Sequence, residues 1–177
     1  MCGGDLFTGC GTAKWHAIYT SSRQEKSVAA RLQAQGIEAY VPCLRAARQR
    51  KNGVNVIVDV PLFPGYVFAC IERATRVRVL RLPGVVGFVE GLDGPVEVCG
   101  KQLEAVRLSL DEYEVAPHAY LEAGRVANVI RGPLAGRKGI VPAGQPRASV
   151  VFNLDGLGLA IAVSVNPGDV ESAASDA

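Results

Sequence analysis

Residues 54 to 71 read VNVIVDVPLFPGYVFACI. Val54, Val56, Val58 and Val60 fall on one side of an alternating strand, and the unbroken apolar run from Tyr66 to Ile71 suits a central strand. Pro61, Leu62, Phe63, Pro64 and Gly65 form a rigid apolar turn between them. Alternation puts Tyr66 and Phe68 on one strand face and Val67 and Ala69 on the other. One set is free to meet helices and the other to remain an open face, and an open aromatic face needs a partner. Core packing is the competing reading of the cluster Pro61, Phe63, Pro64, Tyr66 and Phe68, because burial is the usual fate of large apolar side chains.

Upstream, residues 15–20 (WHAIYT) read as a strand, and Ser22 to Glu25 match a capping box opening a helix with Val28, Ala29 and Leu32 on one stripe and Gly36 as its stop. A strand is expected over 37–41, ended by Pro42. Residues 42–53 (PCLRAARQRKNG) contain no acid and carry Arg45, Arg48, Arg50 and Lys51, as an exposed basic loop or hairpin tip would. Downstream, a short helix is predicted over 75–82, a strand over 85–90 and a helix over 101–110. Strand, helix, strand, strand, helix, strand is the order of a split βαβ, ferredoxin-like unit. Residues 111–122 are acidic and lack periodicity, as a linker would. From Gly124 on the pattern is all-β, with strands over 125–130, 137–141 and 148–154. Asp155-Gly156 then marks a hairpin into a strand carrying Leu159, Ile161, Val163 and Val165 on one face. Short, closely spaced strands of this kind favour a small barrel. The expected fold is therefore α+β: a flexible leader 1–13, a split βαβ domain 14–111, a linker 112–121, an all-β domain 122–171 and a tail 172–177.

Of 177 residues, 49% are hydrophobic and 20% charged, which supports a packed core and excludes global disorder. No apolar run approaches the roughly 18 residues of a membrane span, and the first twelve residues lack the blocks of a signal peptide, so a cytoplasmic location is expected. Five cysteines without a C-x-x-C pair and two histidines argue against a metal site or a disulfide framework. The segment GPLAGRKG, from Gly132 to Gly139, fails the spacing of a phosphate loop and has Gly139 where Ser or Thr is required. No nucleophile elbow, H-E-x-x-H or carboxylate pair appears, so no catalytic residue, metal or cofactor is assigned. The net charge of +2 conceals a division: residues 13–89 and 123–154 are basic, and residues 90–122 are acidic.

Five stretches, WHAIYT (15–20), RQEK (23–26), PLFPGYVF (61–68), PGVVGFV (83–89) and RGPLAGRKGIV (131–141), occur in an order that resembles the NusG family of transcription elongation factors. Within it the chain looks closest to the specialised UpxY-like and RfaH-like antiterminators. The resemblance implies an N-terminal NGN domain and a C-terminal SH3-like KOW barrel. It further implies a monomer that binds the clamp helices of the largest RNA polymerase subunit through Tyr19, Phe63, Pro64, Tyr66, Phe68 and Phe88. Apolar and aromatic side chains supply binding energy when a partner helix removes them from water. Arg23, Lys26, Arg45, Arg48, Arg50 and Lys51 are the expected contacts to non-template DNA. Gly132, Gly136 and Gly139 would shape the KOW turn. Arg131, Arg137, Lys138 and Arg147 would face a second partner, namely the termination factor Rho, a small-subunit ribosomal protein or RNA. The threonine-rich jaw contact of RfaH is replaced here by Arg73-Ala-Thr-Arg76. The implied function is control of pausing, termination and antitermination without catalysis. The alternative is an RNA- or ribosome-binding KOW module.

Overall fold

A computed structural model describes residues 12–49, 53–122, 124–142 and 149–172. The first half runs β1 (Lys14–Thr20), α1 (Glu25–Gln33), β2 (Ala39–Tyr40), β3 (Cys43–Gln49), β4 (Asn55–Pro61) and β5 (Tyr66–Ile71). A 3₁₀ turn (Arg73–Thr75), α2 (Arg76–Leu80), β6 (Val85–Phe88), the small ribbon β7 (Glu90–Gly91) and β8 (Gly94–Pro95), and α3 (Gly100–Glu112) follow. The second half holds β9 (Val115–Ala119), β10 (Arg125–Val129), β11 (Lys138–Val141), β12 (Ser149–Leu154), β13 (Leu159–Ser164) and, after a 3₁₀ turn (Pro167–Asp169), β14 (Val170–Ser172). The arrangement is α+β.

The first sheet has the order β2-β5-β1-β6, with β5 antiparallel to both β1 and β2. The parallel pair β1 and β2 is thus joined by α1 and split by β5, and β5 and β6 are joined by α2 and split by β1. Period-two alternation then sends side chains to two different layers. Ile18, Val67, Ala69, Ile71 and Phe88 pack with Val28 and Leu32 of α1 and Val79 of α2. Trp15, Ala17 and Phe68 pack instead in a core that contains Leu103, Ala105 and Val106 of α3. Both faces of the central strand are covered, so the expected open face does not exist over most of its length.

The second sheet is wholly antiparallel, in the order β14-β10-β11-β12-β13-β9. Val150 pairs with Val163, Phe152 with Ile161 and Leu154 with Leu159, as the alternation predicts. The core beneath them is continuous with that around α3. Polar contacts close the same junction: Gln102 donates to Asp155 at 2.6 Å, and the Arg137 guanidinium donates to the Lys101 carbonyl.

Three local expectations are corrected. Residues 112–121, read as a linker, contain β9, which pairs along β13 from Val115 opposite Val163 to Ala119 opposite Leu159. Pro117 is tolerated there because β9 is an edge strand, where a missing N–H costs no ladder bond on the open side. The basic segment after Pro42 is a regular strand as far as Gln49, paired to β4 in a two-stranded ribbon. The capping box does not form: Gln24 is the N-cap residue and no side chain caps it. No helix among the described residues is long and apolar enough to cross a membrane.

Gly139 packs so closely that a Cβ would collide with Val150 Cγ1 and lie 3.0 Å from the Val151 carbonyl. Gly139→Ala is expected to destabilise the second sheet by about 1–3 kcal/mol through overpacking. Phe68→Ala, at a fully buried site, is expected to cost about 3–5 kcal/mol. Urea unfolding followed by circular dichroism measures both.

Candidate functional site

The β1–β5 register ends on Tyr19 opposite Tyr66. By alternation the pair lies on the sheet face of Ala17 and Phe68, and here tyrosine rings reach solvent, with Tyr19 40% exposed. The two rings lie 4.9 Å apart between centroids at 48°, and the Tyr66 hydroxyl donates to the Tyr19 hydroxyl at 3.3 Å. Burial, followed by that hydrogen bond, pushes the Tyr66 phenol up to about 12.

Ahead of Tyr66 lies a tight turn. The Tyr66 N–H reaches the Phe63 carbonyl at 3.2 Å, with Pro64 second and Gly65 third at φ +84°. This is the residue pattern of a type II turn: proline supplies the fixed φ, and glycine the positive φ that L side chains resist. Pro64 is exposed. The Thr20 N–H donates to the Gly65 carbonyl at 2.9 Å, and the Gly65 N–H donates to Glu25 Oε1 at 2.7 Å.

Three of the six expected docking residues are not at this surface. Phe63 and Phe68 are buried, with their rings edge-to-face at 6.2 Å, and Phe88 is buried in the layer under α1 and α2 beside His16. The sheet is covered on both sides, so these aromatic rings serve the core, and a partner can touch only Tyr19, Pro64 and Tyr66 of the set.

The basic residues divide similarly. Arg23 is exposed and takes a left-handed backbone, φ +62°, in the turn before α1. Lys26 donates to the Asp59 carbonyl at 2.9 Å and lies 3.8 Å from its carboxylate, so its charge is partly matched. Arg45 and Arg48 are both exposed, but a three-residue separation sets them on opposite faces of the β3–β4 ribbon. Arg50 and Lys51 lie outside the described residues, as does Arg147. In the second sheet Arg131 and Lys138 are exposed, whereas Arg137 is committed to the Lys101 carbonyl. Gly132 and Gly136 have φ of +80° and +81° on the turn between β10 and β11, while Gly139 is needed for close packing.

Two buried polar groups have roles that no motif indicated, Glu25 matching a capping box in the sequence. Glu25 is buried, and its spacing to Val28, Ala29 and Leu32 was the available signal, since i, i+3, i+4 and i+7 define the core-facing stripe. His16 is buried with Nδ1 donating to the Val96 carbonyl at 3.0 Å and Nε2 accepting from Arg76 at 3.2 Å. Burial holds its pKa below the usual imidazole value, which fits that neutral tautomer. Among the described residues no group of three or more His, Cys, Asp or Glu is placed to hold a metal ion.

A family model described as "Transcription termination factor nusG" matches residues 13–107. The transcription termination/antitermination protein NusG of Rickettsia bellii is 25% identical over 133 residues, covering 69% of this chain and 70% of that protein. The protein of the same name from Thermus thermophilus is 26% identical over 159 residues, covering 78% and 86%. The solved structure of Thermotoga maritima NusG superposes with a TM-score of 0.51 at 26% identity, covering 92% of this chain and 98% of that one.

The raised phenol has a pH consequence. A raised folded-state pKa contributes stability that is complete below pH 10 and is lost as pH rises from 10 through about 12. Ultraviolet titration should show Tyr66 ionising late, and Tyr19→Phe, which keeps a ring but removes the acceptor, should move that transition back toward 10.

Proposed function

The chain belongs to the NusG family, and on that premise we propose that it binds RNA polymerase and controls pausing, termination and antitermination as an operon-specific antiterminator without catalytic activity. The observation that carries the reading is the exposed Tyr19–Tyr66 pair with Pro64, presented by a hydrogen-bonded turn inside the segment matched to the family. Paired, tilted phenols with a polar edge suit a partner helix that is apolar along one side and polar at its margin. The clamp helices of the largest polymerase subunit are the proposed partner. A cytoplasmic, monomeric protein is part of the same proposal.

Arg23, Arg45 and Arg48 are proposed to attract the non-template strand while the tyrosines dock. Phosphate contacts of this kind supply affinity and orientation and carry no sequence information directly. The domain division 14–111 and 122–171 is retained in this proposal, with β9 of the intervening segment joining the second sheet. The second domain offers Arg131 and Lys138 to Rho, a ribosomal protein or RNA.

Tyr66→Ala and Tyr19→Ala should each weaken binding to bacterial core RNA polymerase by about 30-fold, the effect of losing an aromatic anchor worth about 2 kcal/mol, with circular dichroism unchanged. Undiminished binding by both folded variants overturns the assigned surface. In a separate measurement on single-stranded DNA, Arg48→Ala should lower the slope of log affinity against log salt by about 0.7, the share of one phosphate contact.

A further inference from the structure

We propose that Glu25 is a positioning residue for docking: from helix α1 it locks the central peptide of the Phe63–Tyr66 turn in the orientation that a partner meets. The inference rests on the polymerase-docking reading above and assigns the residue that sets the shape of its surface.

A buried carboxylate is costly unless satisfied, and Glu25 is 5% exposed. It does not cap its own helix, whose N-cap residue is Gln24. Its acceptor Oε1 reaches instead across forty residues of sequence to the Gly65 N–H, at 2.7 Å. Glu25 also occupies the first turn of α1, where unpaired amides and the positive end of the helix favour a negative charge.

The Gly65 N–H belongs to the Pro64–Gly65 peptide, the central peptide of the turn. Type I and type II turns differ mainly by rotation of that peptide, and glycine at the third position permits both. A Cβ built on Gly65 would meet nothing nearer than the Thr20 carbonyl at 3.9 Å, so the positive φ of the turn, and not crowding at Cα, is what favours glycine there. The hydrogen bond to Glu25 makes the choice. Because the peptide is trans and planar, fixing its N–H toward α1 aims the Pro64 carbonyl away from the helix. The other end of Gly65 is held by the Thr20 N–H, so helix and strand together fix the residue that precedes Tyr66.

The test uses the full chain and bacterial core RNA polymerase, with binding measured by biolayer interferometry on the wild type and on Glu25→Ala, Glu25→Gln, Val28→Ala and Tyr66→Ala. Glu25→Ala should bind about tenfold more weakly, the usual consequence of losing a charge-assisted hydrogen bond. Glu25→Gln should come back to within about threefold of wild type, because its amide carbonyl accepts the same N–H. Val28→Ala loosens the packing of the same helix, leaves the bond in place and should bind as wild type. In ¹⁵N spectra the Gly65 amide should shift strongly in Glu25→Ala and little in the other two α1 variants. Wild-type binding by Glu25→Ala beside weakened binding by Tyr66→Ala overturns the positioning role alone, as does equal weakening by Val28→Ala and Glu25→Ala. Failure of the wild type to bind polymerase overturns the docking reading beneath it.

Discussion

The antiparallel register of β1 against β5 is the constraint on which the rest depends. Six consecutive pairs, from Lys14 opposite Ile71 to Tyr19 opposite Tyr66, decide which side chains face α3 and which face α1 and α2. A slip of one residue would exchange the two sets, sending Val67 toward α3 and Phe68 toward α1. The register is pinned at one end by the Phe63–Tyr66 turn and by the bond from Thr20 to Gly65. The tyrosine pair follows from this: it is the last pair of a register whose middle members, His16 to Ile18 opposite Val67 to Ala69, are buried. Fold and candidate site are settled by the same pairing.

Helix α3 carries a second constraint, because it serves two sheets. Leu103, Ala105 and Val106 share a core with Trp15, Ala17 and Phe68 and also with Val150, Phe152 and Leu154. Burial on both sides leaves little surface for charged side chains. Glu104 is nevertheless buried, and Arg107 meets both of its oxygens, at 2.6 and 3.1 Å. A paired, hydrogen-bonded carboxylate is tolerable in such a place where a lone one is not. With the second sheet seated on α3, Tyr19 remains 40% exposed, while Tyr66 is half-buried against the edge of the shared core.

Much of this was legible in the chain, for identifiable reasons. Period-two patterns in 54–71 and 148–165 gave the strands and their faces, and Asp155-Gly156 marked the turn joining β12 to β13. What could not be read was the second layer over a face. Phe68 on an apolar strand suits a core and a docking surface equally, and only α3, more than thirty residues later, decides between them. Glu25 fitted a capping box by spacing, yet its partner is Gly65, because local spacing carries no information about a contact forty residues away. Strand β9 escaped notice because Pro117 and the flanking acids interrupt periodicity. An edge strand accepts such residues, and a central one does not.

The size of the exposed aromatic surface sets a further requirement. A stable protein–protein interface covers about 800 Å² on each partner, far more than Tyr19, Pro64 and Tyr66 can supply. Those residues can act as an anchor, and the remaining area must come from neighbouring elements. The β3–β4 ribbon is such an element, since its seven-residue strands extend roughly 23 Å at about 3.3 Å per residue. Its base is tied to α1 through Lys26 and Asp59, and its backbone meets the docking turn where Pro61 ends β4. Under the proposed function, an arm so placed would reach a second surface while the tyrosines hold the first. Arg45 and Arg48 lie on opposite faces of the arm, so in that proposal only one of them faces a given strand of nucleic acid. The ribbon that carries the proposed phosphate contacts is continuous in backbone with the turn that carries the proposed docking residues.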